Sequence, residues 1–357
     1  MPDRAICNLK LTGYSMCGKT FIHHDGALGD LLLSLPAVEL IRSSSGHIHM
    51  AGRADVAGLL GKAGYIHGAS PADSSLFLSL YTLAPDERIT KFLAGFDRAF
   101  IFTGKSDSVL AGNIGKIIPD TQIVLTIPPE GVRMHVSEFR LRQLADGRGD
   151  AQPVDRQAGP LLEIPSLYKE KAKQLLSERG YRSAGMPLVA LHTGSGGKRK
   201  CWPLENFFEL TERFAQKFNP FFIIISGPAE ERAMRGKIDE FVNRRKGIVH
   251  IHNEELIAVA AFLSIGSLYI GNDSGITHLA SAVNEKVAAI FGPTDPLLWK
   301  PSGRRVSVVS PDTGCAPCES GITGSFSGSF PACGRRCLPD ISVERVYERS
   351  AYLMQPE

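Results

Sequence analysis

The sequence predicts an α/β protein of two doubly wound, Rossmann-type domains. Short apolar runs alternate with helical patterns through the chain, and such βαβ alternation builds parallel sheets with helices on both faces. Several runs end in glycine turns that open a helix, where ligands of open α/β sheets bind. The length, 357 residues, suffices for two ordinary domains. The polar, Gly/Pro-bearing stretch 147–160 is where a linker belongs.

In the first half, apolar runs predict strands at 20–24, 47–51, 99–103 and 122–127, with helices at 31–42, 54–62, 106–117 and 135–146 between them. A helix at 167–179 precedes the second set. Strands there are predicted at 188–192, 221–226, 248–250, 268–270 and 287–291. Helices are predicted at 205–217, 229–243, 255–264 and 276–283, and the last pattern, 342–354, is a further helix. The domains are expected at 1–165 and 166–341, with 342–357 as a C-terminal helical segment.

The segment Tyr269-Ile-Gly-Asn-Asp-Ser-Gly-Ile-Thr-His-Leu-Ala280 is the most informative. A buried strand stops at a glycine, Asn272, Asp273 and Ser274 offer capping side chains, and a helix follows. A helix N-terminus leaves backbone N–H groups unpaired, where the dipole favours an anion. His278 lies one turn in, at i+4 from Ser274. The arrangement suits a diphosphate, and Asp-Ser-Gly alone also suits a plain N-cap.

Two other stretches accompany it. His23-His-Asp-Gly-Ala-Leu-Gly-Asp-Leu-Leu-Leu-Ser-Leu-Pro36 holds a glycine turn and Asp30 at a helix start. Leu191-His-Thr-Gly-Ser-Gly-Gly-Lys-Arg-Lys-Cys-Trp-Pro203 is a strand end followed by a glycine-rich basic loop. In this order, and with Phe291-Gly-Pro-Thr-Asp-Pro296, the set resembles glycosyltransferase family 9, the ADP-heptose:lipopolysaccharide heptosyltransferases, over nearly the whole chain. The resemblance implies a GT-B-like architecture, two domains facing a cleft, with the final helix returning to the first domain. It implies an ADP-heptose donor (or another nucleotide sugar), a lipopolysaccharide core acceptor and inverting, metal-independent transfer.

Transfer needs a base for the acceptor hydroxyl, stabilisation of the departing diphosphate and alignment of both substrates. Asp30 matches the family's proposed base; its other reading is a helix cap. Thr193, Gly194 and Ser195 can offer hydroxyl and backbone donors to phosphate oxygens. Lys200 matches the family's diphosphate-contacting cation, and Lys198 and Arg199 crowd the same loop. Glu230, rather than Glu231, fits the carboxylate that holds ribose hydroxyls. Asp273 is expected to accept from sugar hydroxyls, Ser274 and Gly275 N–H groups to hold the diphosphate, and His278 to aid the leaving group. Thr294 lies in a loop expected to line the nucleotide pocket. Loops at 70–79, 103–108 and 128–136 are the expected acceptor contacts.

Two features stand apart. Gly13-Tyr-Ser-Met-Cys-Gly-Lys-Thr20 satisfies the Walker A pattern, which would make an ATPase. A P-loop opens a helix after its Thr, whereas Phe-Ile-His-His follows here as a strand. Among seven cysteines, Cys315, Cys318, Cys333 and Cys337 form two close pairs. Four thiolates suit structural zinc or iron. The alternative is a cysteine-rich loop without metal, and no open position suggests a catalytic one.

A net charge of +3 argues against nucleic acid, and no apolar run reaches membrane-spanning length. The N-terminus has no signal-peptide core. A cytoplasmic location is expected, at the inner face of the inner membrane if the acceptor is lipid-borne, with peripheral membrane contact at most. The departures His23-His-Asp25 and His-Thr-Gly-Ser keep two alternatives open: a nucleotide-sugar-binding protein without transfer, and a heptosyltransferase that modifies protein.

Overall fold

The computed structural model describes residues 18–105, 108–145, 161–228, 230–284, 286–312, 316–318 and 337–355. The chain divides into two compact units, Met1–Val154 and Asp155–Glu357.

The first unit runs β1 (Lys19–His24), α1 (Leu28–Arg42), β2 (His47–Gly52), α2 (Ala54–Lys62), β3 (Gly68–Pro71), α3 (Ser75–Leu78), α4 (Glu87–Leu93), β4 (Arg98–Thr103), α5 (Val109–Ile117), β5 (Thr121–Leu125) and α6 (Val136–Ala145). Its five strands are all parallel, in the order β3-β2-β1-β4-β5. One face is an aromatic and aliphatic core in which Phe21, Phe77, Ile89, Ile101 and Ile114 are buried.

The second unit runs α7 (Ser166–Glu178), β6 (Leu188–His192), α8 (Leu204–Phe218), β7 (Phe221–Ser226), α9 (Arg232–Asn243), β8 (Ile248–His252), α10 (Leu256–Ser264), β9 (Leu268–Asn272), α11 (Gly275–Val283), β10 (Lys286–Ile290), α12 (Pro296–Trp299), β11 (Arg305–Val309) and α13 (Val343–Met354). Its six parallel strands lie in the order β11-β10-β9-β6-β7-β8. This is the doubly wound order, reversing direction between β6 and β9. Strands such as β7, Phe-Phe-Ile-Ile-Ile-Ser, are buried along their whole length, as a strand covered on both faces must be. The corresponding reversal in the first unit lies between β1 and β4. The sequence motifs fall at the carboxyl ends of β1, β6, β7, β9 and β10, so each sheet gathers its polar loops at one edge.

Two expectations change. The boundary falls earlier than residue 165, because Ile164 is buried and the Leu162 N–H bonds the Ala282 carbonyl of the second unit at 2.8 Å. The final helix belongs to the second unit, packing on α8 and the β9–β10–β11 edge. Its apolar stripe, Val343, Val346 and Leu353, joins the core beside Phe207 and Phe214, which is the burial its amphipathic pattern requires. The P-loop reading fails on geometry. Lys19 and Thr20 begin a strand, and the Thr20 hydroxyl is held inside by Ser45 Oγ at 3.0 Å and Arg98 Nε at 2.8 Å. A P-loop Thr must instead stand at a helix N-terminus to meet phosphate. Gly13–Cys17, and the linker 147–160, lie outside the described residues.

Candidate active site

In the second unit the loops after β6 and β9 flank the reversal point and are tied together by Asn272. Its Nδ2 donates to the carbonyls of Thr193 (2.9 Å) and Gly194 (3.2 Å), and its Oδ1 accepts from the Trp202 N–H at 2.9 Å. Asn272 is fully buried, so its amide satisfies three backbone groups that water could not reach. Trp202 is buried too and donates its indole N–H to the Ile341 carbonyl at 2.9 Å. The pair Trp202-Pro203 therefore anchors the basic loop and starts α8.

Of the three candidate caps of α11, Ser274 is the one that caps, its Oγ accepting from the Thr277 N–H. Asp273 is held differently. Its N–H bonds the Ile290 carbonyl at 2.9 Å, its carbonyl accepts from Ser195 Oγ at 2.6 Å, and its Oδ2 receives Lys200 Nζ at 2.8 Å. The Asp273 side chain is 7% exposed and that of Lys200 18%. The ion pair joins the residues expected to bind sugar and diphosphate separately. Lys198, by contrast, pairs with Glu231 at the surface, at 2.6 Å. The Ser195 hydroxyl proton is engaged by Asp273, so phosphate would have to meet the backbone N–H groups there. Among the described residues, Thr193 Oγ1 and Thr294 Oγ1 are buried with no hydrogen-bond partner, and such groups call for one. His278 is buried in the first turns of α11.

Glu230 is the buried carboxylate of the loop after β7, and Glu231 is exposed at the N-cap of α9. Glu230 Oε2 accepts from the Gly227 N–H at 2.6 Å, and Oε1 lies 3.5 Å from His192 Nε2. His192 Nδ1 in turn lies 3.3 Å from Ser274 Oγ. Burial pushes the Glu230 carboxyl up, but His192 and the Gly227 N–H outweigh it and hold the group below its ordinary value. Glu230 occupies the space a side chain at 194 would need: a Cβ on Gly194 would lie 1.6 Å from Glu230 Oε1. Gly194→Ala is therefore expected to displace Glu230 and weaken nucleotide binding about tenfold or more. Calorimetry with ADP checks this, and Glu230→Ala on top of Gly194→Ala should then cost little further, since the two share one effect.

The Glu230 loop has its own support. Ser226 Oγ sits 2.7 Å from His250 Nε2 and 2.9 Å from His252 Nδ1. Arg235 reaches His252 Nε2 and Asp239 reaches His250 Nδ1, both at 2.7 Å. A guanidinium only donates. With both imidazoles neutral, the chain then runs one way: Arg235 to His252 to Ser226 to His250 to Asp239.

In the first unit, Asp30 lies in the first turn of α1 but does not cap it: the helix has no side-chain cap. Its Oδ1 instead receives Arg140 from α6 at 2.6 Å, a guanidinium whose side chain is fully buried. Arg140 also donates to the Asp30 carbonyl at 2.5 Å, to Ser34 Oγ at 2.8 Å, and twice to the Thr126 carbonyl at 3.0 and 2.7 Å. All five of its N–H groups are used, which offsets the cost of its burial. Burial pushes the guanidinium below its ordinary value and Asp30 opposes this.

His24, at the end of β1, completes the network. Its Nδ1 accepts from the Gly26 N–H at 3.3 Å, which leaves Nε2–H to donate to Ser34 Oγ at 3.0 Å. Ser34 in turn donates to the Asp30 carbonyl at 3.1 Å. Burial, then the charge of Arg140, pushes the His24 imidazole down to about 3. His23, His47 and His49 are lowered too, chiefly by burial. A histidine lowered on folding takes up its proton only in the unfolded chain over the window between the two pKa values. For His24, stability is then complete above about pH 6.5 and falls as the pH drops toward 3, by up to about 1.4 kcal/mol per unit, and the other three act in the same direction. Melting temperatures should decline from pH 7 to pH 5, before carboxylates titrate, and a flat profile would contradict this.

Cys318 and Cys337 lie among the described residues and Cys315 and Cys333 outside them. Among the described residues no group of three or more His, Cys, Asp or Glu is arranged to hold a metal, and no helix is long and apolar enough to cross a membrane.

Residues 156–323, which carry the Lys200–Asp273 pair and Glu230, match the model of glycosyltransferase family 9 (heptosyltransferase). Over this stretch, somewhat under half of the chain, the sequence is similar to that family. Over 174 residues the chain is 25% identical to lipooligosaccharide heptosyltransferase 2 of Campylobacter jejuni, a match covering 48% of this chain and 52% of that protein. The chain thus spans about half the length of that curated relative. Among solved structures, E. coli ADP-heptose lipopolysaccharide heptosyltransferase II shares the fold over 94% of this chain and 98% of its own, with 17% identity and a TM-score of 0.68. The dodecameric iron-containing heptosyltransferase TibC, solved with ADP-D-β-D-heptose, covers 96% of this chain and 77% of its own, with 16% identity and a TM-score of 0.55. The fold is therefore the GT-B-like fold of these family 9 structures.

Arg140, His192 and the Ser226 cluster escaped the reading of the sequence. His192 was legible as the residue before Thr193 at a strand end. Arg140 carries no local signal, standing 110 positions from its partner in a helix of mixed charge.

Proposed function

We propose that this protein is an inverting, metal-independent glycosyltransferase that moves a heptose from ADP-heptose to a hydroxyl of a lipopolysaccharide core. The observation that carries the reading is the Lys200–Asp273 ion pair beside the first turn of α11, at the reversal point of a Rossmann-type sheet. A cation and a helix N-terminus together stabilise a leaving diphosphate without requiring a metal ion. Glu230 would accept from ribose hydroxyls, with Thr193 and Thr294 supplying buried hydroxyls to the nucleotide. Asp273 would accept from sugar hydroxyls once Lys200 turns to phosphate, and His278 would assist the departing oxygen.

Asp30 would take the proton of the acceptor hydroxyl as its oxygen attacks the anomeric carbon. ADP leaves from the opposite side of that carbon, so one displacement inverts it. The acceptor loops are those following β3, β4 and β5. The reaction would take place in the cytoplasm, at the inner face of the inner membrane, with peripheral contact only. For the four cysteines, metal analysis of the purified chain separates the two readings: about one zinc or iron per chain, or none.

Calorimetric titration with ADP-heptose tests the donor, with UDP-sugars and ATP as competitors, with and without magnesium. ADP-heptose should bind independently of magnesium, unaffected by UDP-sugars and by Lys19→Ala. Magnesium-dependent ATP binding that vanishes in Lys19→Ala would overturn the reading.

A further inference from the structure

The first turn of α1 poses a problem that Arg140 solves. Ala27 at its N-cap provides no side-chain acceptor, so the opening N–H groups of α1 and its dipole invite a nearby carboxylate. Asp30 stands three residues on, in the first turn. A carboxylate folded back onto its own helix would have its lone pairs occupied and would be a poor base. In this structure it is turned the other way, by a single charge-assisted bond at 2.6 Å from a fully buried guanidinium.

Arg140 cannot move to accommodate a different Asp30. The Nε and one terminal nitrogen are fixed on the Thr126 carbonyl, and the other terminal nitrogen on the Asp30 carbonyl and Ser34. The helix that carries it is clamped to the end of β5: Gln143 Oε1 accepts from the Leu125 N–H at 2.8 Å, and Gln143 Nε2 donates to the Leu125 carbonyl at 2.9 Å. Ser34 is held by His24 from the sheet side. Oδ1 is thus held, and Oδ2 has no hydrogen-bond partner among the described residues. The Asp30 side chain is 37% exposed, so the carboxylate is open on one side.

We infer that Arg140 is the positioning residue of the acceptor base, holding Asp30 by Oδ1 so that Oδ2 alone faces the acceptor hydroxyl. The inference rests on Asp30 being that base. A lysine could not replace Arg140, because a single ammonium cannot span the Thr126 carbonyl, Ser34 Oγ, the Asp30 carbonyl and Asp30 Oδ1. The arrangement also assigns His24 and Ser34 a part, since together they close the far side of the guanidinium.

The test compares Arg140→Ala, Arg140→Lys, Ser34→Ala and Asp30→Asn in the full chain. Transfer is measured from ADP-heptose to heptose-deficient lipopolysaccharide, and ADP binding by calorimetry. For Arg140→Ala, kcat should fall about a hundredfold, with the Kd for ADP within twofold of wild type, because the nucleotide residues lie in the other unit. Tens of millimolar guanidinium should restore at least tenfold of that loss, with no such gain in wild type. Arg140→Lys should stay low. Should Arg140→Ala not fold, Arg140→Lys and Ser34→Ala decide, the latter with kcat down about fivefold and KM for acceptor unchanged. A folded Arg140→Ala or Arg140→Lys with kcat within threefold of wild type, beside an inactive Asp30→Asn, would overturn the inference while sparing the base. Full activity in Asp30→Asn would instead remove the base reading itself.

Discussion

Asp30→Asn is expected to lower kcat about a thousandfold with the Kd for ADP unchanged. A positioned base contributes roughly 10²–10⁴ to a proton-coupled step, and an amide cannot take the proton. The substitution keeps the shape of the side chain and leaves an oxygen able to accept from Arg140, whose contacts with Thr126 and Ser34 do not depend on the charge at 30. It does leave a buried guanidinium without its anion, so a lower melting temperature should accompany the loss. The kinetic and thermal effects separate by measuring kcat well below the melting range. A kcat within tenfold of wild type would mean that Asp30 serves the fold only.

Lys200→Ala should lower kcat about 10²–10³-fold and weaken ADP binding about tenfold. The magnitude is that of removing one preorganised donor from a site of developing negative charge. The larger share falls on kcat because the leaving diphosphate carries more charge in the transition state than in the bound donor. Asp273 makes the result diagnostic. Truncating Lys200 leaves that carboxylate almost buried and unpaired beside the diphosphate, so the repulsion adds to the lost attraction. Asp273→Ala in the same chain should then recover part of the binding loss. In a double-mutant cycle the two changes should be non-additive by at least 0.5 kcal/mol. Strict additivity would mean that Lys200 and Asp273 act on the donor independently.

The long periodic elements were legible because apolar runs and helical stripes leave few alternatives; β6, β7 and α2 fall where their patterns put them. The short ones were not. β3 is Gly-Ala-Ser-Pro, with no β-branched residue and a closing proline, and is paired because β2 offers it an edge. α4 starts at Asp86, which caps it by accepting from the Arg88 N–H, a signal hidden in a polar loop. β11 does alternate, but its Arg and Ser blur the apolar pattern.

The site shows the same division. Ser274, which caps α11 from within its own motif, could be read locally. Partnerships could not: nothing near Lys200 points to Asp273, nor near Asp30 to Arg140. Such pairs depend on which strand ends the sheet order brings together. The glycine at 194 falls between the two cases. Its place in a glycine-rich loop was evident, but the reason for it is Glu230, which fills the space a side chain would need.

The most direct test of the account is mass spectrometry of heptose-deficient lipopolysaccharide incubated with ADP-heptose and the protein, in the presence of EDTA, beside Asp30→Asn. One heptose should be added per acceptor with wild type, its anomeric configuration, read by NMR of the product, inverted relative to the donor, and none with the variant. Tight ADP-heptose binding by wild type with no heptose added to any lipopolysaccharide or protein acceptor would contradict it, and would make this protein a binder of nucleotide sugars instead.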